Sequence, residues 1–174
     1  FIRPLPPLFT KIGSRVSAFE NDNVRNGFLA VDWCADNGMV QQGITLLQEA
    51  LISAALEEAG MDYRNKLFRN ITSSAFIITS KSTPENEWEG DAAGNKEDVR
   101  RIAATPVVQN LFREYDALTQ LRNDVNHGGF LDTSRPYDEI ERKFRDIRKR
   151  ISETTPCGSS VNWRHDIKMI KRRS

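Results

Sequence analysis

The stretch Thr105-Pro106-Val107-Val108-Gln109-Asn110-Leu111-Phe112-Arg113-Glu114-Tyr115-Asp116-Ala117-Leu118-Thr119-Gln120-Leu121-Arg122-Asn123-Asp124-Val125-Asn126-His127-Gly128-Gly129 decides how this chain is read. A threonine can cap free N–H groups and a proline fits the first helical position, so the stretch opens like a helix. Two glycines close it like one. In between, Val108, Leu111, Tyr115, Leu118 and Val125 recur at steps of three, four and their sum, the spacing of one buried seam. Arg122 falls on that seam. A guanidinium stays charged and is costly to bury alone, so an arginine where leucine is expected calls for a carboxylate, a phosphate or a second subunit. His127 follows five residues on, about 140° around the helix from Arg122 at 100° per residue. Asn126 shares the arginine's side and Asn123 the histidine's.

The same periodicity repeats outward from this helix. Phe9, Ile12, Val16 and Phe19 predict a short helix over residues 9–20, and Val24, Phe28, Val31 and Ala35 predict another that Gly38 stops. Residues 40–59 read as a long helix with Ile44, Leu47, Leu51 and Ala54 inward and Gly60 at its end; its length and small residues suit the centre of a bundle. Residues 63–80 read as helix, although the Ile71-Thr72-Ser73-Ser74 and Ile77-Ile78-Thr79 runs leave a strand open. Residues 82–95 carry Pro84, Gly90, Gly94 and four acidic side chains around Trp88. They read as a surface loop, a tolerated insertion ahead of a functional lid. Residues 96–104 predict a short helix. Tyr137, Ile140, Phe144, Ile147 and Ile151 then form the cleanest stripe in the chain, with basic residues on the opposite face. Pro156-Cys157-Gly158 breaks it, and Trp163, Ile167 and Ile170 leave the tail either a loose arm or one last short helix. The fold class is all-α, an antiparallel bundle of about five to seven helices.

With 174 residues, 39% hydrophobic and 28% charged, the chain is one domain able to bury a core without staples. Two cysteines, Cys34 and Cys157, make neither a disulfide framework nor a zinc site, which predicts a reducing, cytoplasmic setting. No apolar run reaches the length of about twenty residues that a membrane span needs. The chain opens on Phe1, and Pro4, Pro6 and Pro7 read as a stiff linker over residues 1–8 from a missing upstream domain. The net charge of +1 hides an asymmetry, because residues 142–174 hold 11 basic and 3 acidic side chains, so this end carries +8 and the rest −7. Such an end suits a polyanion or a solvated face. Arg145, Arg148, Lys149, Lys171 and Arg172 are its candidate RNA contacts. The organisation expected is linker, helical domain over 9–153 and basic tail over 154–174.

Several chemistries lack their residues here. There is no glycine-rich phosphate loop, no dinucleotide fingerprint and no nucleophile elbow. His127 and His165 are the only histidines, too few for a catalytic zinc site. No metal or cofactor is expected.

Arg122-Asn123-Asp124-Val125-Asn126-His127 resembles the arginine, four residues, histidine motif of HEPN ribonucleases. The flanking Leu121 and Gly128-Gly129, with Trp33-Cys34 and Gln41-Gln42-Gly43-Ile44-Thr45-Leu46-Leu47-Gln48-Glu49, resemble the HEPN half of CRISPR-associated accessory ribonucleases. The resemblance covers roughly residues 9–153. It implies a HEPN-like bundle, a homodimer with a composite site at the HEPN–HEPN interface, and an upstream sensor of cyclic oligoadenylate in antiviral defence.

RNA offers a reaction open to such a site, because its own 2′-hydroxyl can attack the adjacent phosphorus. Histidine moves protons near neutrality, and arginine presents a planar fork to phosphate oxygens. Asn123 and Asn126 could hold the imidazole tautomer or donate to phosphate. His127 is open as base, acid or positioning group. The expected activity is metal-independent cleavage of single-stranded RNA to a 2′,3′-cyclic phosphate. The competing expectations are a catalytically silent HEPN module for dimerisation or nucleic-acid binding, and the toxin of a toxin–antitoxin pair. Structurally, Arg122 could bridge to a glutamate, His127 could cap a helix, and Trp33 and Trp88 read as packing residues.

Overall fold

A computed structural model describes residues 23–126 and 135–154, with Gly13, Ser17, Phe19 and Asn21. Among the described residues there are seven α-helices, one 3-10 turn and no strand. The helices are α1 (Asn23–Asp36), α2 (Val40–Glu58), α3 (Lys66–Lys81), α4 (Gly90–Gly94), α5 (Lys96–Ala103), α6 (Pro106–Asn126) and α7 (Tyr137–Thr154). The protein is all-α. The helix expected over 9–20, the tail beyond 154 and the residues His127, Gly128 and Gly129 lie outside the described residues.

Local chemistry fixes the helix ends. Gly38 and Gly60 take left-handed φ values of 69° and 65°, which let Met39 N–H reach the Cys34 carbonyl and Met61 N–H the Leu56 carbonyl, each at 2.9 Å. Asn65 caps α3 by accepting from the N–H groups of Leu67 at 2.9 Å and Phe68 at 3.4 Å. The runs that left a strand open are helical throughout. Thr72, Ser73, Ser74 and Thr79 each donate their hydroxyl to the carbonyl four residues back, so these side chains are absorbed within the helix.

α2 is the central helix and packs against α1, α3, α6 and α7. Ile44, Leu47, Leu51, Ala54 and Ala55 on it are buried, as are Phe28 and Val31 of α1, Ile71 and Phe76 of α3, Leu111 and Leu118 of α6, and Phe144 and Ile151 of α7. Gly43 is what lets α7 come so close. A Cβ there would stand 2.6 Å from Phe144 Cζ and 3.3 Å from Cys34 Cβ. A polar strap adds to this contact, since Arg148 of α7 pairs with Asp32 of α1 at 2.9 Å with side chains only 13% and 15% exposed.

Residues 82–95 differ from the expected loop. They hold the 3-10 turn Glu85–Glu87 and the short α4. The Trp88 indole N–H donates to the Thr83 carbonyl at 3.0 Å, Ala92 is buried, and Arg100 pairs with Glu85 at 3.0 Å. Two of the four acidic side chains thus find donors on neighbouring helices, Asp91 from Asn70 of α3 and Glu85 from Lys96 and Arg100 of α5, and Trp88 is a packing residue, half-buried against the core.

Candidate active site

The helix that carries Arg122 is anchored at both ends. Thr105 Oγ1 donates to the Ile102 carbonyl at 2.7 Å and accepts from Val108 N–H at 3.4 Å, while Glu58 of α2 accepts from Val107 N–H at 2.9 Å. A carboxylate here also suits the positive end of the helix dipole. At the other end Asp124 pairs with Arg135, which leads into α7, and Arg135 Nε stands 3.8 Å from Glu139. The segment bearing His127 is therefore flanked by an ion pair.

Arg122 does not sit where the seam predicted. Val108, Leu111, Tyr115 and Leu118 are buried, but in the last turns the buried positions are Leu121 and, partly, Val125. Arg122, Asn123 and Asn126 are exposed. The reason is that α7 covers the end of α6 from the Leu121 side, and no described helix covers the Arg122 side. Burial within the chain therefore makes no demand for an internal counter-charge, and Arg122 has no hydrogen-bond or ion-pair partner among the described residues.

Beneath Arg122 the apolar seam gives way to a polar ladder. Gln48 Nε2 of α2 donates to Thr119 Oγ1 at 2.9 Å, Thr119 Oγ1 donates to the Tyr115 carbonyl at 3.0 Å, and Tyr115 OH donates to Ser73 Oγ of α3 at 3.1 Å. The Tyr115 ring stacks on Phe76 with centroids 4.2 Å apart. Beside it Arg69 of α3 ties down α2, pairing with the Glu49 carboxylate and donating to Ser53 Oγ at 3.0 Å and the Tyr63 carbonyl at 2.7 Å. Burial pushes the Tyr115 hydroxyl above its ordinary value; the Ser73 hydrogen bond and the charges of Arg122 and Arg69 pull it down, and Glu49 pushes it up. Two guanidinium groups, one carboxylate and a tyrosine hydroxyl are thus electrostatic neighbours at the surface where α2, α3 and α6 meet.

No family model, curated protein or solved structure matches this chain. The site's reading therefore rests on its own residues.

Those residues divide into groups with different jobs. Of the candidate RNA contacts, Arg148 is turned inward onto Asp32 and is not on the outer face of α7. Arg145 pairs with Glu141 at 2.7 Å and donates to the Ala35 carbonyl at 3.0 Å, closing the end of α1. Lys149 is exposed with Glu153 at 3.9 Å, and Lys171 and Arg172 lie outside the described residues. An open groove of about 290 Å3 runs between α6 and α7, with Leu121 and Ile147 in it and Arg135, Lys143 and Arg150 along it. Its cations are matched by carboxylates, Lys143 by Glu139 at 2.8 Å and Arg150 by Glu114 at 3.4 Å. The groove also occupies a face of α6 turned at least about 100° from Arg122, so it is separate from the candidate chemistry. Among the described residues no three His, Cys, Asp or Glu side chains gather as a metal would need, and no helix is long and apolar enough to cross a membrane.

Proposed function

We propose that this chain is a metal-independent endoribonuclease of the HEPN kind, acting on single-stranded RNA as the effector part of a CRISPR-associated defence protein. The observation that carries the reading is the exposed last stretch of α6, where Arg122 and Asn126 are open to solvent among the described residues and the sequence continues directly into His127. Arg69, Arg100, Arg145 and Arg148 pair with carboxylates of their own bundle; among the described residues Arg122 does not.

In the proposed reaction the 2′-hydroxyl loses its proton and its oxygen bonds to the adjacent phosphorus. The bond from phosphorus to the 5′-oxygen breaks, that oxygen gains a proton, and a 2′,3′-cyclic phosphate remains. Arg122 presents two parallel N–H groups to the non-bridging oxygens, and His127 handles one of the protons or orients a group that does. One arginine and one histidine are few for these tasks. A two-fold homodimer that brings two copies of Arg122, Asn123, Asn126 and His127 into one cleft doubles them. The upstream cyclic-oligoadenylate sensor and the cytoplasmic setting belong to the same proposal.

The test is a matched pair of single-stranded RNA and DNA oligonucleotides incubated with the protein in excess chelator. The expected result is RNA cleavage with cyclic phosphate ends and intact DNA, because DNA lacks the attacking hydroxyl. Strict dependence on added magnesium or manganese would refute it. Activity and mass by light scattering should fall together on dilution; a fully active monomer would refute the composite site.

A further inference from the structure

The groove between α6 and α7, about 290 Å3, is left open by the described residues. Its floor is apolar, made of Leu121 and Ile147 with the half-buried Ala117. Its rim is cationic, formed by Arg135, Lys143 and Arg150. An indole suits such a site, because its ring lies on an apolar floor while its face attracts a guanidinium or ammonium group.

Charge narrows the occupant further. Each rim cation faces a carboxylate, Arg135 that of Asp124, Lys143 that of Glu139 and Arg150 that of Glu114. Gln120, also in the lining, donates to Asp116 at 3.0 Å. Asp146 lines the groove too, is exposed, and makes no hydrogen bond or ion pair among the described residues. The lining and its direct partners thus hold three basic and five acidic side chains. A basic segment with an aromatic anchor fits that surplus, and a phosphate backbone does not.

The chain carries a segment of this description within reach. α7 ends at Thr154, about one helical turn beyond Arg150. The next eight residues, 155–162, include Pro156 and Gly158, which suit a reversal of direction. Eight residues can span roughly 25 Å, well over the distance of about 10 Å from Arg150 back to Lys143 along α7. Then come Trp163, Ile167 and Ile170 at the spacing of one helical face. Trp163 is the only Phe, Tyr or Trp after Phe144, and over residues 161–174 five basic side chains stand against the single Asp166.

We propose that the α6–α7 groove is the docking site of the chain's own C-terminal segment, with Trp163 on the Leu121 and Ile147 floor beneath the cationic rim, and the segment's basic residues facing Asp146 and its acidic neighbours. Docked there, the segment clasps α7 to the end of α6 and leaves the Arg122 side open. This docking does not depend on the ribonuclease reading.

The test labels the full chain with 5-fluorotryptophan and assigns the Trp163 19F resonance by its loss in Trp163→Phe. In wild type that resonance should stand apart from that of a free peptide of residues 155–174, and should be protected from a soluble paramagnetic agent at every protein concentration. Ala117→Arg, which fills the groove, should move it to the peptide's position and abolish the protection. Asp146→Lys, a charge reversal at an exposed site, should move it in the same direction. The Trp88 resonance and the helical signal report folding in each variant, and Asp146→Lys decides if Ala117→Arg does not fold. A wild-type Trp163 resonance at the peptide's position overturns the docking, and so does one that stays in place in every folded variant. Protection lost on dilution gives the groove to the segment of a second copy and overturns docking within the chain. Protection that arises only when single-stranded RNA is added overturns it equally.

Discussion

Replacing Gly43 by alanine sets two effects of opposite sign against each other. In a helix interior the change stabilises by about 1 kcal/mol through backbone preference alone. Here the new Cβ would stand 2.6 and 2.9 Å from Phe144 Cζ and Cε1 and 3.3 Å from Cys34 Cβ. The Phe144 ring is fully buried in the seam between α2 and α7, so it can yield only by moving a helix. Overpacking of this kind costs about 1–3 kcal/mol, and a rigid ring puts it in the upper part of that range. The expected net loss is about 1–2 kcal/mol. Gly27 supplies the control, because a Cβ there meets Ala50 Cβ at an ordinary 3.4 Å; Gly27→Ala should therefore gain up to about 1 kcal/mol. At about 2–4 °C per kcal/mol for a domain of this size, the two variants should melt roughly 5–10 °C apart, on either side of wild type. Urea and thermal unfolding followed by circular dichroism at 222 nm measure this. A Gly43→Ala protein as stable as wild type would mean that Phe144 does not rest on Gly43, and the seating of α7 on α2 would be wrong.

Three further expectations follow from other parts of the fold. Asp32→Ala should cost about 3 kcal/mol by leaving the Arg148 charge in a shielded site, while replacing both residues by leucine should recover most of it; equal losses for the single and double variants in chemical denaturation would contradict the strap. Ser82→Gly should raise stability by about 0.5–1 kcal/mol, since Ser82 ends α3 at a left-handed φ of 51° that glycine adopts without strain; a lower urea midpoint would contradict that. Deleting residues 161–174 should weaken RNA binding and flatten its dependence on salt without altering sequence preference; an unchanged slope in fluorescence anisotropy would make the tail a bystander.

The bundle was legible in the sequence because each helix writes its buried face at steps of three and four and closes with a readable stop. Gly38 and Gly60 end α1 and α2 where their positions suggested, and Thr105-Pro106 opens α6. Residues 82–95 were less legible: Trp88 reads as a packing residue and is one, but glycines, a proline and acidic residues suggest a loop and hide the 3-10 turn and the short α4 with its buried Ala92. The candidate site shows the limits of periodicity more sharply. Arg122 keeps the phase of the buried seam, yet whether a position in phase is covered depends on which helix lies over it, a tertiary fact. Gln48 offered the opposite signal, an amide between Ile44, Leu47, Leu51 and Ile52 on a face otherwise apolar, and its link to Thr119 71 positions away had no trace in local spacing. Arg148 likewise looked like one more cation on a basic face; only the crossing of α7 over α1 turns it onto Asp32.

The measurement that bears most directly on the account is the rate of single-stranded RNA cleavage in excess chelator for wild type, Arg122→Ala and His127→Ala, with folding of each checked by circular dichroism. Wild type should cleave, and each variant should lose on the order of a hundredfold or more in rate, the scale of a positioned proton carrier or a charged phosphate contact, while keeping its helical signal and melting point. Variants that are folded and as active as wild type would contradict the assignment of the chemistry to the end of α6.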